Sequence, residues 1–233
     1  MLEGKRNSDP VYTEHCSVLQ ARGIKPGAIG VSALVDSKDD GPVRADARRS
    51  LAALLQAAKD VFATSGVDAP VRMIAEKAGV GVGTLYRHFP QRSDLIVAVF
   101  RNEVDACAAA APVIAARYAP GEALDRWLER LIEFIAAKRG LSAALHSGDP
   151  AYKPLPNYLL EHLGSALDGL LKSAAAAGEV RADVEAVDLL LAIARLCSPD
   201  DTGAITKQSR RMVALLIDGI RARPRQASTK DGR

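Results

Sequence analysis

The chain has few aromatic residues: Phe, Trp and Tyr together make up 4% of its 233 residues. A core therefore has to come from Ala, Leu, Val and Ile, a set that suits helices better than sheets. Cysteine is scarce too. Three Cys, an odd number without paired spacing, offer neither a disulfide framework nor a zinc site and point to a reducing compartment. No apolar run reaches the roughly 18 residues that a membrane span needs, and the first residues are polar, without the apolar stretch of a secretory signal. These shortages leave a soluble cytoplasmic protein with no metal, cofactor or membrane partner. Signatures of catalysis are missing as well. The run Gly79-Val80-Gly81-Val82-Gly83 lacks the G-x-G-x-x-G spacing, a preceding strand and a closing Lys-Ser/Thr. The His and Cys residues form no triad, so no catalytic residue is assigned and an enzyme is not expected.

What is present is helical. At 48% hydrophobic residues the chain can bury a sizeable core. The most informative stretch is 71–89, VRMIAEKAGVGVGTLYRHF. In residues 71–78, Ile74, Ala75 and Ala78 recur at helical spacing and share one face. Gly79 can take positive φ and stop that helix. A second short pattern, 81–88, places Val80, Leu85 and Phe89 where they can pack back on the first. Two short helices around a Gly corner describe a helix-turn-helix, whose second helix enters the DNA major groove by its N-terminal end. Here that end is Val82, Gly83 and Thr84, the candidates for base contact. Thr84 can bond a base edge and touch a thymine methyl. Gly83 has a plainer reading as a flexible helix start.

Charge is distributed accordingly. Residues 44–92 hold 8 basic and 4 acidic residues, net +4, against +3 for the whole chain. A positive excess on the helix-turn-helix segment is what phosphate binding requires. Arg44, Arg48 and Arg49 lie at the start of the first helical pattern, 44–64, where cations oppose the helix dipole. An anionic partner explains them, and so does a solvated helix start. Phosphate contacts are assigned to Arg48, Arg49, Tyr86, Arg87, His88 and Arg92, with core packing as the other reading of Tyr86.

The run AGVGVGTLYRHFPQRSDL resembles the DNA-reading segment of TetR-type bacterial transcriptional regulators. Ile74-Ala75 paired with Gly83-Thr84-Leu85-Tyr86-Arg87-His88-Phe89 carries the resemblance, which is close over about 45–100. Beyond that, the helical pattern and length are similar. Where the family often has Thr or Ser before the first of these helices, this chain has Asp68-Ala69-Pro70. Asp68 is expected to cap there, and Pro70 to suit a first turn. The resemblance implies an all-α fold of about nine helices. A three-helix DNA-binding domain at 44–92 would precede a helical ligand-binding and dimerisation domain at 93–223. It also implies a homodimeric repressor, released from a palindromic double-stranded operator by a small effector. Effector-independent and thiol-responsive regulators, the latter through Cys107 or Cys197, are the alternatives.

Elsewhere the chain reads as punctuation and helices. Residues 1–43 carry turn signals and no sustained period, and are expected to be a poorly ordered arm or a translated leader. Ser93 is expected to cap a helix over 95–111 that Pro112 ends or kinks. Helical patterns follow at 120–138, 141–146, 157–177, 184–197 and 204–223. A proline-bearing loop is expected at 148–156, and a frayed tail at 224–233. The helix over 184–197 is apolar on more than one face and that over 204–223 nearly so, which intramolecular burial or a two-fold dimer through them would explain. Trp127, Leu131, Phe134, His146, Tyr158 and His162 are the candidates to line a pocket for an apolar or aromatic ligand. Core packing explains each of them equally well.

Overall fold

A computed structural model of the chain describes residues 42–137, 141–145, 147–197 and 205–221. The expected arm and tail, together with His146, lie outside the described residues. Nine α-helices and one 3₁₀ turn make up the described residues, with no strand among them. They are α1 (Pro42–Ser65), α2 (Val71–Ala78), α3 (Val82–His88), α4 (Arg92–Ala115), α5 (Pro120–Ala137), α6 (Ser142–Leu145), the 3₁₀ turn Pro150–Tyr152, α7 (Leu155–Ala176), α8 (Ala186–Leu196) and α9 (Lys207–Arg221).

α1 is a platform. Leu54, Leu55, Ala58, Val61 and Phe62 recur at helical spacing and are all buried. Each large apolar side chain withdrawn from water in this way stabilises the fold by roughly 1.5–3 kcal/mol. α2 packs on α1 through Ile74 and Ala75, and α3 packs on α2. α4 belongs to both halves of the molecule, since it meets α1 as well as α5, α7 and the 3₁₀ turn. It is buried along its whole length, from Leu95 and Ile96 through Val104 and Cys107 to Ile114. The Trp127 indole N–H donates to the Cys107 carbonyl at 2.9 Å, pinning α5 to α4, and the Trp127 side chain is wholly enclosed.

Several boundaries differ from the sequence expectation for identifiable reasons. Asp68 does not cap α2; Pro70 occupies the cap position, and no side chain bonds the first turn there. The Pro70 backbone carbonyl accepts the Met73 N–H at 2.9 Å in the first turn. Ser93 does not cap α4 either. Gln91 is the cap residue, and Asp94 reaches back to accept its N–H at 2.9 Å. The carboxylate is also favoured by the helix dipole. Pro112 neither ends nor breaks α4, which continues to Ala115. Its missing N–H takes one bond from the Ala108 carbonyl, but its own carbonyl still accepts the Ala116 N–H at 3.1 Å as the helix ends. The segment 148–156 is not all loop: Asp149 Oδ1 accepts the Ala151 N–H at 2.8 Å and nucleates the 3₁₀ turn, and α7 begins at Leu155.

Two predictions follow from these contacts. Trp127→Ala should lower the unfolding free energy by about 3–5 kcal/mol. Trp127→Phe, which loses chiefly the hydrogen bond, should lower it by about 1 kcal/mol. Urea denaturation followed by far-ultraviolet circular dichroism measures both. Gly79 has φ +68° with open space around an added Cβ, so Gly79→Ala should cost about 1–2 kcal/mol through backbone strain alone. Gly83→Ala, in a helix and also facing open space, should be neutral or gain up to about 1 kcal/mol. Equal effects at the two glycines would remove the strain argument.

Candidate nucleic-acid interface

Gly79 sets the corner. In the left-handed conformation it lets its own N–H bond the Glu76 carbonyl at 3.1 Å and lets the Val80 N–H bond the Ala75 carbonyl at 3.0 Å. The terminal carbonyls of α2 are thereby satisfied and the chain turns sharply. Gly81 then takes an extended conformation, and its carbonyl accepts the Thr84 and Leu85 N–H groups, starting α3. Leu85 and Phe89 are buried. That inward anchor turns the opposite side of α3 outward. Gly83, Tyr86 and Arg87 are exposed, and Val82, Thr84 and His88 are half-buried. Tyr86, at 50% exposure, is not a core residue.

The structure brings most of the chosen residues onto this one element. Arg92 sits half-buried behind it. Its Nη1 donates to the carbonyls of Val67 and of Ala69, the latter at 2.9 Å, so it holds the turn that precedes α2. Arg48 and Arg49 lie exposed on the first turns of α1, and Arg49 pairs with Asp46. The Arg44 side chain is outside the described residues. The Lys77 ammonium lies 3.2 Å from Asp60, and Arg72 pairs with Glu76 at 2.8 Å. Sequence reasoning passed over Met73, which is 43% exposed on α2. Its signal was its place off the Ile74–Ala75–Ala78 face, which a helical wheel shows.

The six pocket candidates divide into two groups and one residue outside the description, His146. Trp127 and Leu131 are wholly enclosed in the core, and Phe134 lies edge-on to Phe100 with centroids 6.4 Å apart. Tyr158 and His162 instead stack on each other at 3.9 Å on α7, half-buried. The Tyr158 hydroxyl donates to Asp105 Oδ1 at 2.5 Å. Burial, then that bond to Asp105, pushes the hydroxyl well above the usual phenol range. Arg101 and Asp105 of α4 complete this cluster, and sequence reasoning missed both. Two opposite charges one turn apart on the same helix were the available signal. Burial pushes the Cys107 thiol up to about 12 and raises Cys197 as well. Both stay as thiols at neutral pH, which weakens the thiol-responsive alternative.

Comparison with known proteins is consistent along the chain. Residues 54–99 match the family described as bacterial regulatory proteins, tetR family. Residues 119–222 match the SbtR-like transcriptional regulator C-terminal domain. The chain is 40% identical to the TetR transcriptional regulator SCO0520 from Streptomyces coelicolor, covering 73% of this chain and 97% of that one with a TM-score of 0.60. It is 36% identical to a TetR regulatory protein from Mycobacterium vanbaalenii, covering 78% of this chain and 100% of that one with a TM-score of 0.61. An HTH-type transcriptional regulator of Staphylococcus aureus (strain USA300) is 36% identical over 64 residues, 27% of this chain. The match spans 35% of the length of that curated relative. No helix among the described residues is long and apolar enough to cross a membrane. With its DNA-reading half, its C-terminal half and its overall fold all matched, the chain belongs to the TetR family of DNA-binding transcriptional regulators.

Proposed function

We propose that the protein is a homodimeric repressor that grips a palindromic operator through α3 and lets go when a small ligand enters its C-terminal half. The observation that carries the DNA reading is the outward tip of α3. Val82, Gly83 and Thr84 stand at its start over the buried Leu85, with Tyr86 and Arg87 exposed beside them. Small residues let the helix backbone approach base edges, while Tyr86, Arg87, His88, Arg48 and Arg49 reach phosphates. Arg92 has a positioning role besides, through the carbonyls it holds.

Dimerisation through α8 and α9 is supported by what those helices leave uncovered. Among the described residues, apart from Met73 and Tyr86, the exposed large apolar residues are Val187 and Leu191 on α8 and Met212 and Leu215 on α9. Intramolecular burial leaves these four unexplained; a partner copy covers them. Two α3 helices related by a two-fold axis would then meet half-sites about 34–36 Å apart, or a multiple of that spacing.

Tyr86→Ala should weaken binding to every duplex by about tenfold, the equivalent of roughly 1.5 kcal/mol for one bond to a charged group. Thr84→Ala should instead change which operator is preferred, by about 1–3 kcal/mol at one base pair. Fluorescence anisotropy on the DNA beside its own gene and on scrambled duplexes measures both; unchanged affinities would remove the assignment. Leu215, at 71% exposure, provides the dimer test. Leu215→Glu should yield folded monomers in sedimentation velocity and lower operator affinity. A wild-type monomer, or a variant that still dimerises, would contradict the proposed interface.

A further inference from the structure

Four polar side chains meet where α4 faces the start of α7, and one of them has no hydrogen-bond partner at a shielded atom. Tyr158 gives its O–H to Asp105 Oδ1. His162 Nδ1 lies 2.9 Å from the Tyr158 backbone carbonyl. A carbonyl only accepts, so Nδ1 carries the hydrogen. The Arg101 guanidinium stands 4.9 Å above the Tyr158 ring centroid. Its Nε is shielded from solvent and has no acceptor among the described residues. A stripped N–H on a cation is costly to leave unpaired, and the aromatic face compensates only part of its charge.

An incoming acceptor resolves that deficit. Resting on the effector-responsive reading above, we propose that this cluster binds the carboxylate of a small organic monoacid, with Arg101 as the anion's partner and the stacked Tyr158–His162 pair against its apolar or aromatic body. A planar guanidinium matches a carboxylate in a two-point grip. A monoanion fits better than a phosphate. Arg101 is the cation that acts on Tyr158, and Asp105 and Glu161 act on it as anions, too negative a setting for a dianion.

The test uses the purified full chain and isothermal titration calorimetry with benzoate, octanoate and their uncharged partners benzamide and octanamide. At least one carboxylate should bind saturably, about tenfold or more tighter than its amide. Arg101→Met, which keeps the apolar stem, should abolish that preference. Arg101→Lys, which keeps the charge but not the fork, should retain part of it; circular dichroism and operator affinity confirm that each variant is folded. If Arg101→Met fails to fold, an undiminished carboxylate preference in Arg101→Lys refutes the guanidinium grip. Amides that bind as tightly as acids, a preference that survives in Arg101→Met, or no binding by either acid would each overturn the proposal. A neutral compound that releases the operator where the acids do not would overturn it and leave effector-controlled release standing. No release across a mixed library of acids and neutral compounds would remove both.

Discussion

The reversal at Gly79 is the constraint on which the DNA-reading half depends. α2 has eight residues and α3 seven, lengths at which neither helix is stable in isolation. They persist because the left-handed turn folds them onto each other and their buried residues onto a shared platform. Ile74, Ala75, Leu85 and Phe89 all join the core that contains Leu54, Ala58 and Phe62 of α1. Orientation follows from the same packing. With Leu85 and Phe89 fixed inward, the periodicity of the helix leaves Gly83, Tyr86 and Arg87 facing solvent. Surface exposure of the reading tip is thus a consequence of the core beneath it.

α4 ties this platform to the rest of the molecule. Near one end, Arg92 holds the carbonyls ahead of α2, and Leu95, Ile96 and Val99 enter the common core. Further along, Lys59 of α1 meets Glu103 at 2.7 Å in a pair that is mostly buried. Around that point the same helix carries Arg101 and Asp105 toward α7, and at Cys107 it receives the Trp127 indole. The polar cluster proposed to bind a ligand and the Arg92 that holds the turn before α2 therefore share one helix. Any tilt of α4 is felt at both, which is the physical requirement for coupling two sites through a single body.

Much of this was legible in the sequence wherever the signal was local. The bounds of α2 follow from three apolar positions and one Gly, and the structure ends that helix at Ala78 with Gly79 as its cap. Exposed Tyr86 and buried Leu85 follow from periodicity in the same way. Capping was less legible: Ser93 is a competent cap, but the helix starts earlier, with Gln91 at the cap and the Asp94 carboxylate accepting its N–H. Arg92 resembled a phosphate ligand in sequence. Its bond to Val67 and Ala69, more than twenty residues away, is a tertiary fact with no local trace. The Arg101–Asp105–Tyr158–His162 cluster was half legible for the same reason. The α7 pair shows as an i, i+4 spacing, whereas its α4 partners depend on how two distant helices pack.

Everything rests on α3 entering a major groove. A dimethyl sulfate footprint of the wild-type protein on the duplex beside its gene tests that most directly, because guanine N7 is exposed in the major groove and adenine N3 in the minor. Protection of guanine N7 in two symmetric clusters, about one helical turn apart or a multiple of it, is the predicted result. Protection confined to adenine N3, or none at concentrations that saturate binding, would contradict it.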